Sequence, residues 1–261
     1  MVTRDTAWPP GTPCWIDLGV ADKAKAKAFY GGLFGWSIQD GPPEAGGYSM
    51  CLIDGKAAAG IGDKQGPEEQ PPYWTTYIAT ADADATAARV KAAGGQVLAD
   101  PFDVMDVGRM AIAIDPGGAP FGIWEAKAHT GVGVANEPGA LIWSENMSRN
   151  LAANQAFYRA VFGYDISDMS SDEMKYATID IDGKPVGGIG EISAGQPAEM
   201  PATWGTYFAV ADTDAAVAKV AELGGTVLAP PWDSPYGRMA VVSDDQGSVF
   251  SVMTTSGDQE G

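Results

Sequence analysis

Histidine and cysteine are scarce in this sequence. Its 261 residues contain one histidine, His129, and two cysteines, Cys14 and Cys51. One imidazole per chain excludes metal sites that need two or three histidines of the same chain, and two cysteines do not form a disulfide framework. A catalytic triad would have to use His129, whose flanking sequence is typical of a linker. We therefore expect His129 to lie on the surface.

Basic residues and long apolar runs are scarce as well. Sixteen Lys and Arg residues oppose 34 Asp and Glu residues, which gives a net charge of −18. Such a surface repels phosphate backbones and anionic lipids, so nucleic acids and membranes are not expected partners. No run of apolar residues is long enough for a membrane span, and the N-terminal residues do not resemble a signal peptide. The sequence thus predicts a soluble, cytoplasmic protein. We expect no cofactor, because no flavin, nicotinamide or haem motif is visible.

The sequence repeats itself at an offset of 128 residues, with one or two inserted residues in its later part. The matching segments are residues 14–17 with 142–145, 29–30 with 157–158, 34–36 with 162–164, 54–56 with 182–184, 60–62 with 188–190, 74–77 with 204–207 and 108–111 with 237–240. A repeat of this length indicates a duplicated structural unit. We expect two modules, residues 12–127 and 139–255, joined by a linker.

Each module divides again into two similar halves. Residues 15–20 alternate as in a strand, Asp22 is placed as a helix N-cap, and residues 23–34 have helical spacing up to Gly35. The same order returns from Trp74, and short β-rich runs follow each helix. The sequence therefore predicts an α+β fold of four β-α-β-β-β units. Two units pair in each module to form a curved mixed sheet around a cup.

These segments carry a family resemblance. The string from Asp17 through Asp22 to residues 29–30 and 34–36, followed by residues 94–95 and 115–118, resembles the glyoxalase/bleomycin-resistance/extradiol-dioxygenase superfamily, the vicinal oxygen chelate proteins. The tandem arrangement is similar to actinobacterial proteins labelled hydroxylase or glyoxalase-like, which include mycobacterial antigens and partners in polyketide antibiotic pathways. The resemblance implies the cup-shaped sheet and, in the members that use one, a divalent metal ion.

The positions that hold the metal in those members have different residues here. The resemblance places the first-strand ligands at Trp15, Thr75, Trp143 and Gly205, and the last-strand glutamates at Gly122 and Ser251. Indole and glycine supply no ligand, and a lone hydroxyl is a weak one. We therefore expect the family's fold without its metal centre.

In place of a metal shell, the sequence predicts an aromatic wall beside one carboxylate in each module. Residues two apart on a strand share a face, so Asp17 lies beside Trp15 and Glu145 beside Trp143. An apolar cup raises the pKa of a carboxyl, which makes Asp17 and Glu145 candidates for catalysis by acid/base chemistry. The candidate ligand-binding residues are Trp15, Trp74, Thr76, Tyr77, Arg109, Trp124, Trp143, Trp204, Tyr207 and Arg238.

Structural roles are the alternative for the same residues. The tryptophans fill a core, the two carboxylates bind a loop or an arginine, and Arg109 and Arg238 hold loop carbonyls or the nearby Asp103 and Asp233. By strand alternation, Trp74 and Tyr77 face opposite ways.

The functional hypothesis is a protein that binds a bulky, partly aromatic metabolite of polyketide-type metabolism or detoxification, and transforms it by acid/base chemistry without a metal. One alternative is a drug-sequestering binding protein without catalysis. Another is a metal-dependent lyase or dioxygenase with atypical ligands such as Asp17, Glu125 or Glu145. A third is that one module alone has a working cup. The expected partner is a small molecule, and a homodimer is compatible with the sequence.

Overall fold

The structure is a computed structural model that describes residues 2–65, 71–172 and 174–255. Its helices are α1 (Lys23–Phe34), α2 (Ala83–Ala92), α3 (Leu151–Phe162) and α4 (Thr213–Glu222). Its strands are β1 (Val2–Thr3), β2 (Pro13–Val20), β3 (Ser37–Asp40), β4 (Ser49–Ile53), β5 (Lys56–Asp63), β6 (Trp74–Thr80), β7 (Gln96–Val104), β8 (Gly108–Ile114), β9 (Pro120–Ala126), β10 (Val134–Ala135), β11 (Leu141–Ser148), β12 (Asp165–Asp168), β13 (Tyr176–Ile181), β14 (Lys184–Glu191), β15 (Thr203–Ala209), β16 (Thr226–Ser234), β17 (Gly237–Ser243) and β18 (Val249–Thr255).

The strands form two mixed sheets of the same design. The first has the order β3-β4-β5-β2-β6-β9-β8-β7, and the second has the order β12-β13-β14-β11-β15-β18-β17-β16, with β1 and β10 added beside β11. In the first sheet, β2 pairs parallel with β5 and antiparallel with β6. This arrangement confirms the predicted α+β fold, with two β-α-β-β-β units in each sheet.

Helix α1 begins and ends as the sequence predicts, and a polar side chain caps the N-terminus of each of α1 to α4. The side chains of Asp22 and Asp82 accept a hydrogen bond from the backbone N–H three residues on, which caps α1 and α2. Asn150 and Asp212 do the same for α3 and α4. At Gly35 the chain leaves α1 with a φ of 70°, a conformation that glycine adopts without a steric penalty. In the described part of the chain, no helix is long and apolar enough to cross a membrane.

The helices pack on one face of the sheets, and each of the two main cores draws on both modules. Tyr30 of α1 contacts Phe250 of the second sheet, with ring centroids 5.6 Å apart. Phe121 of the first sheet contacts Tyr158 of α3 at 5.8 Å. Each module thus completes its core with rings of the other, which makes the tandem pair one cooperative packing unit.

Two buried aspartates join the modules by hydrogen bonds. Asp115 of the first module accepts hydrogen bonds from the Tyr158 hydroxyl at 2.9 Å and from the amides of Asn146 and Asn154. In the mirror arrangement, Asp244 accepts a hydrogen bond from the Tyr30 hydroxyl at 3.0 Å. The Asp115-Pro116-Gly117-Gly118 segment and the tyrosines of the repeated Phe-Tyr pairs therefore meet at the module interface.

Removing one of these hydroxyls should destabilise the whole chain. The Tyr158 hydroxyl also accepts a hydrogen bond from Trp204 Nε1 at 2.7 Å, so Tyr158→Phe leaves a buried indole N–H without its partner. We expect the free energy of unfolding to fall by about 1–2 kcal/mol, measured by urea titration. Tyr236→Phe, at an exposed tyrosine, should change it by less than about 0.5 kcal/mol. Equal effects of the two variants would contradict this role of Tyr158.

Candidate functional site

The two central strands of each sheet send alternate side chains to opposite faces. Trp15 on β2 is the cross-strand partner of Tyr77 on β6, and Asp17 is the partner of Thr75, so these four side chains share one face. We call this face, which is turned away from the helices, the inner face. It is the side of the predicted cup.

On the inner face of the first module, two tyrosines hold the Asp17 carboxylate. Its Oδ2 accepts hydrogen bonds from the Tyr77 hydroxyl at 3.0 Å and from the Tyr48 hydroxyl at 3.3 Å. Trp15 Nε1 donates to the Tyr48 oxygen at 2.9 Å. Burial raises the pKa of Asp17 to about 7, although these hydrogen bonds favour the charged form. The carboxyl can therefore take up or release a proton near neutral pH.

The second module repeats the arrangement with a glutamate. Glu145 accepts hydrogen bonds from the Tyr207 hydroxyl at 2.5 Å and the Tyr176 hydroxyl at 2.9 Å. Trp143 Nε1 donates to the Tyr176 oxygen at 2.9 Å, as Trp15 does to Tyr48. Burial also raises the pKa of Glu145 above its ordinary value. Each module therefore has a carboxyl, two tyrosines and one tryptophan in a single hydrogen-bonded group.

Tyr48 and Tyr176 belong to the two sites but were not among the candidates from the sequence. They match at the offset of 128 residues, and a glycine of the neighbouring strand faces each of them. A Cβ atom at Gly60 would lie 1.8 Å from the Tyr48 hydroxyl oxygen, and one at Gly188 would lie 1.8 Å from that of Tyr176. The repeated glycines are required because a tyrosine ring crosses the strand there.

A methyl group at Gly188 should therefore disrupt the site. Gly188→Ala forces the Tyr176 hydroxyl away from Glu145 and Trp143, and we expect it to lower the free energy of unfolding by about 1–3 kcal/mol. The matched control is Gly31→Ala inside α1, where the new Cβ meets only a backbone oxygen at 3.7 Å. The control should stabilise the chain by about 0.5–1 kcal/mol, since alanine is the better helix former. Urea unfolding of both variants checks this pair of expectations, and a tolerated Gly188→Ala would contradict the assigned ring position.

Three predicted ligand-binding residues lie on the opposite face of the sheets, toward the helices. The prediction that they line the cup is wrong. Trp74 and Trp204 donate hydrogen bonds from Nε1 to the hydroxyls of Tyr30 and Tyr158, which lie on helices. Thr76 is fully buried on the same face as Trp74. Strand alternation already placed Trp74 opposite Tyr77. These indoles belong to the hydrophobic core because the two modules pack around the helices. No local sequence pattern encodes that packing.

Arg109 and Arg238 also lie away from the inner faces, bound to carboxylates. Arg109 forms a two-bond pair with Asp84 at the start of α2, with N···O distances of 2.7 and 2.9 Å. Arg238 pairs in the same way with Asp214 at the start of α4, and also with Asp233 at 3.0 Å. Both arginines thus have the structural role given above as the alternative, since they hold nearby carboxylates.

His129 and Trp124 are found together at the first inner face. Trp124 Nε1 donates to the backbone oxygen of His129 at 2.9 Å, and the His129 ring lies edge-on against Trp15 with a centroid distance of 4.3 Å. The expected surface position of His129 is therefore wrong. The linker folds back over the sheet, with its backbone bonded to Val107 and Cys14.

The donor atoms of the inner faces do not make the metal shell that the family resemblance implies. Each face offers one carboxylate, already engaged by two tyrosine hydroxyls. The Tyr77 ring lies across Gly122, where a Cβ atom would come within 2.0 Å of it. Glu125, an atypical ligand considered above, instead accepts a hydrogen bond from the Ala83 N–H and caps α2. Within the described residues, no three His, Cys, Asp or Glu side chains are grouped as a metal site.

Comparison with solved structures supports the fold class. The Mn(II)-bound glyoxalase from Novosphingobium aromaticivorans superposes with a TM-score of 0.66 at 15% identity, covering 94% of this chain and 83% of that one. The trihydroxybiphenyl dioxygenase from Sphingomonas wittichii strain RW1 gives 0.63 at 14% identity, covering 97% and 94%. At these identities the likeness shows the tandem fold alone.

The family itself is shown by sequence. The model of the Glyoxalase/Bleomycin resistance protein/Dioxygenase superfamily matches residues 14–123 and 147–252, and the chain belongs to that superfamily. A mycobacterial protein named "Putative glyoxylase CFP32", from Mycobacterium tuberculosis, is 44% identical over 93% of this chain and 94% of its own length. The anthracycline biosynthesis protein DnrV from Streptomyces peucetius is 38% identical over 95% of this chain and 94% of its own.

Proposed function

We propose that this chain binds a bulky, partly aromatic metabolite on an inner face and transforms it by metal-independent acid/base chemistry. The observation that carries the proposal is the pair of half-buried carboxyls, Asp17 and Glu145, each beside a tryptophan and held by two tyrosine hydroxyls. Indole and phenol rings suit a flat apolar ligand, and burial raises the pKa of both carboxyls, that of Asp17 to about 7, which favours proton exchange.

The chemistry that fits these groups is proton transfer at a carbon that is next to a carbonyl or conjugated with one through an aromatic ring. In the deprotonated form, the carboxylate takes the proton as the C–H bond breaks, and the electron pair moves to the carbonyl oxygen to form an enolate. Return of the proton to the same or a conjugated carbon completes an exchange or isomerisation without an oxidant. The two tyrosines keep the carboxyl oriented throughout, because both donate to its oxygens.

The relatives support the ligand class. Proteins 38% identical to this chain over nearly its whole length are named for anthracycline biosynthesis, and anthracyclines contain fused planar rings. A flat ring system with phenolic and carbonyl oxygens matches a face of tryptophan and tyrosine around one carboxyl.

Two probes test this proposal. Alizarin, a planar dihydroxyanthraquinone, should bind, as measured by calorimetry. Dithranol, a dihydroxyanthrone with an acidic methylene group, should exchange that hydrogen for solvent deuterium faster with the protein than in buffer, as measured by proton NMR under nitrogen. Prior dialysis against a chelator, with the metal content measured, should leave the exchange unchanged. Loss of exchange on chelation and its return with a divalent metal would favour the metal-dependent alternative instead.

The binding-only alternative predicts a different result in the same two measurements. A drug-sequestering protein would bind alizarin without accelerating exchange in dithranol.

We also propose a cytoplasmic location, which agrees with the two cysteines, Cys14 and Cys51, being free buried thiols. A homodimer remains a prediction that light scattering of the purified chain can check.

A further inference from the structure

The two inner faces have the same hydrogen-bonded group but differ in what covers it. On the first, Trp15 is 3% exposed and Tyr77 is 6% exposed. On the second, their counterparts Trp143 and Tyr207 are both partly exposed. Because the two modules share one fold, the difference must come from the side chains and segments that lie over each face.

The cover of the first face is made of this chain's own residues. The His129 ring stands 4.3 Å from Trp15 and 5.4 Å from Trp124, measured between ring centroids. Val132 and Trp8 close the face further, with Trp8 Nε1 bonded to the Val132 oxygen at 3.0 Å. His129 Nε2 is buried without a hydrogen-bond partner, and burial lowers the pKa of His129 to about 4. A neutral, flat heteroaromatic ring therefore fills the space above Trp15.

Within residues 2–65, 71–172 and 174–255, the second face has a smaller and more exposed side chain at the position of Trp124. In the first sheet, Trp124 pairs with Met110 of the neighbouring strand. In the second sheet, Met253 takes the position of Trp124 and pairs with Met239. Met253 is partly exposed.

Each inner face has an exposed ring at its edge, since Phe102 pairs with Met110 in the first sheet as Trp232 pairs with Met239 in the second, and Phe102 is 46% exposed. Trp232, which pairs with Met239, is 39% exposed, and Tyr236 is 45% exposed. The second face differs in the partial exposure of Trp143, Tyr207 and Met253, whose counterparts Trp15, Tyr77 and Trp124 are buried. Exposed aromatic and methionine side chains around one carboxyl are typical of a site for a flat apolar ligand.

We infer that the second module's inner face is the ligand site, and that His129 is a built-in occupant of the first. This inference rests on the proposed function and specifies it. A planar aromatic ring of the ligand takes the place that His129 takes in the first module, between Trp143 and Met253. A phenolic hydroxyl or a carbonyl oxygen of the ligand then reaches the group of Glu145 and its tyrosines. One chain binds one ligand.

The test is the stoichiometry and affinity of alizarin, measured by calorimetry on the full chain and three variants. Wild type should bind one alizarin per chain. Met253→Trp, which introduces the ring that closes the first face, should weaken binding at least tenfold with an unchanged melting temperature. Trp143→Leu should weaken it at least tenfold as well, and supplies the second variant if Met253→Trp does not fold. The matched control Met105→Trp, at an exposed methionine of the first module, should bind as wild type does.

The first module supplies the decisive contrast. His129→Ala should leave the affinity for alizarin within twofold of wild type. Two alizarins per wild-type chain, wild-type affinity in both second-module variants, or loss of binding in His129→Ala would each overturn the inference while leaving the proposed function standing. A wild-type chain that binds no alizarin would overturn both.

Discussion

Replacing Glu145 by glutamine is expected to slow protein-catalysed hydrogen exchange in dithranol by at least a hundredfold. Removing the group that takes the proton in general base catalysis typically costs two to four orders of magnitude in rate. Tyr176 and Tyr207 donate to different oxygens of Glu145, so in glutamine the amide oxygen keeps one of these hydrogen bonds and the NH2 group faces the other hydroxyl oxygen, to which it can donate. Alizarin affinity should therefore change by less than about threefold, and the loss should fall on turnover rather than on binding.

Two further variants make this result specific. Glu145→Asp keeps a carboxyl and the same partners within reach, and should recover part of the exchange rate. Asp17→Asn distinguishes the modules, because a loss of exchange in this variant with full exchange in Glu145→Gln would place the chemistry on the first face. Exchange that survives in Glu145→Gln and Asp17→Asn together would contradict acid/base catalysis by these carboxyls.

The second large effect is on stability and its pH dependence, and it comes from Asp17. The carboxyl has an ordinary pKa of 3.8 and a folded-state pKa of about 7, so the unfolded chain releases the proton first as pH rises. The stabilisation is fully present below about pH 4 and is lost as the pH rises through about 7. At 1.36 kcal/mol for each tenfold change, the loss amounts to roughly 4 kcal/mol, of which about 2–3 kcal/mol falls between pH 5 and pH 8.

Asp17→Asn removes this titration while keeping a hydrogen-bond acceptor for Tyr48 and Tyr77. Relative to wild type, the variant should therefore gain about 2–3 kcal/mol in the free energy of unfolding on going from pH 5 to pH 8. Comparing the two proteins at each pH cancels the contributions of the other buried groups, including His129. Urea titrations at four pH values provide the measurement. A difference that does not vary with pH would show that Asp17 is ionised at neutral pH.

Much of the fold could be predicted because the sequence contains an internal duplication. The offset of 128 residues, the N-cap Asp22 and strand alternation can be recognised in the sequence alone, and each has a direct structural consequence. Alternation also placed Asp17 beside Trp15, which the cross-strand pairing bears out geometrically. These features depend on residues close in sequence or on a comparison of the chain with itself.

The rest depends on register and on distant packing, which local patterns do not encode. Tyr48 reaches Asp17 only because β4 pairs with β5 so that a glycine lies beneath its ring. His129 has a linker composition, yet its path back across the first sheet is set by hydrogen bonds to Val107 and Cys14. Trp74 and Trp204 are of a residue type that is common in ligand sites, but they lie on the face of the sheets that packs against the helices, where they bond to Tyr30 and Tyr158.

The segments that carried the family resemblance also have a clear structural role. Asp115 uses one carboxylate oxygen for the turn through the N–H groups of Gly117 and Ala119, and the other for Tyr158 of the second module. The aspartate-containing turn and the Phe-Tyr pairs therefore specify how two modules assemble. Residues of this kind determine assembly and not the chemistry of the inner faces, so they indicate the fold and carry no information about a metal site.

A crystal structure of the full chain with alizarin tests the central claim most directly. The account predicts one alizarin per chain, stacked against Trp143 next to Met253, with an oxygen within hydrogen-bond distance of Glu145 or Tyr176, and His129 still in place over Trp15. Alizarin over Trp15 with His129 displaced, or a coordinated cation between the carboxyl and the tyrosines of either face, would contradict it.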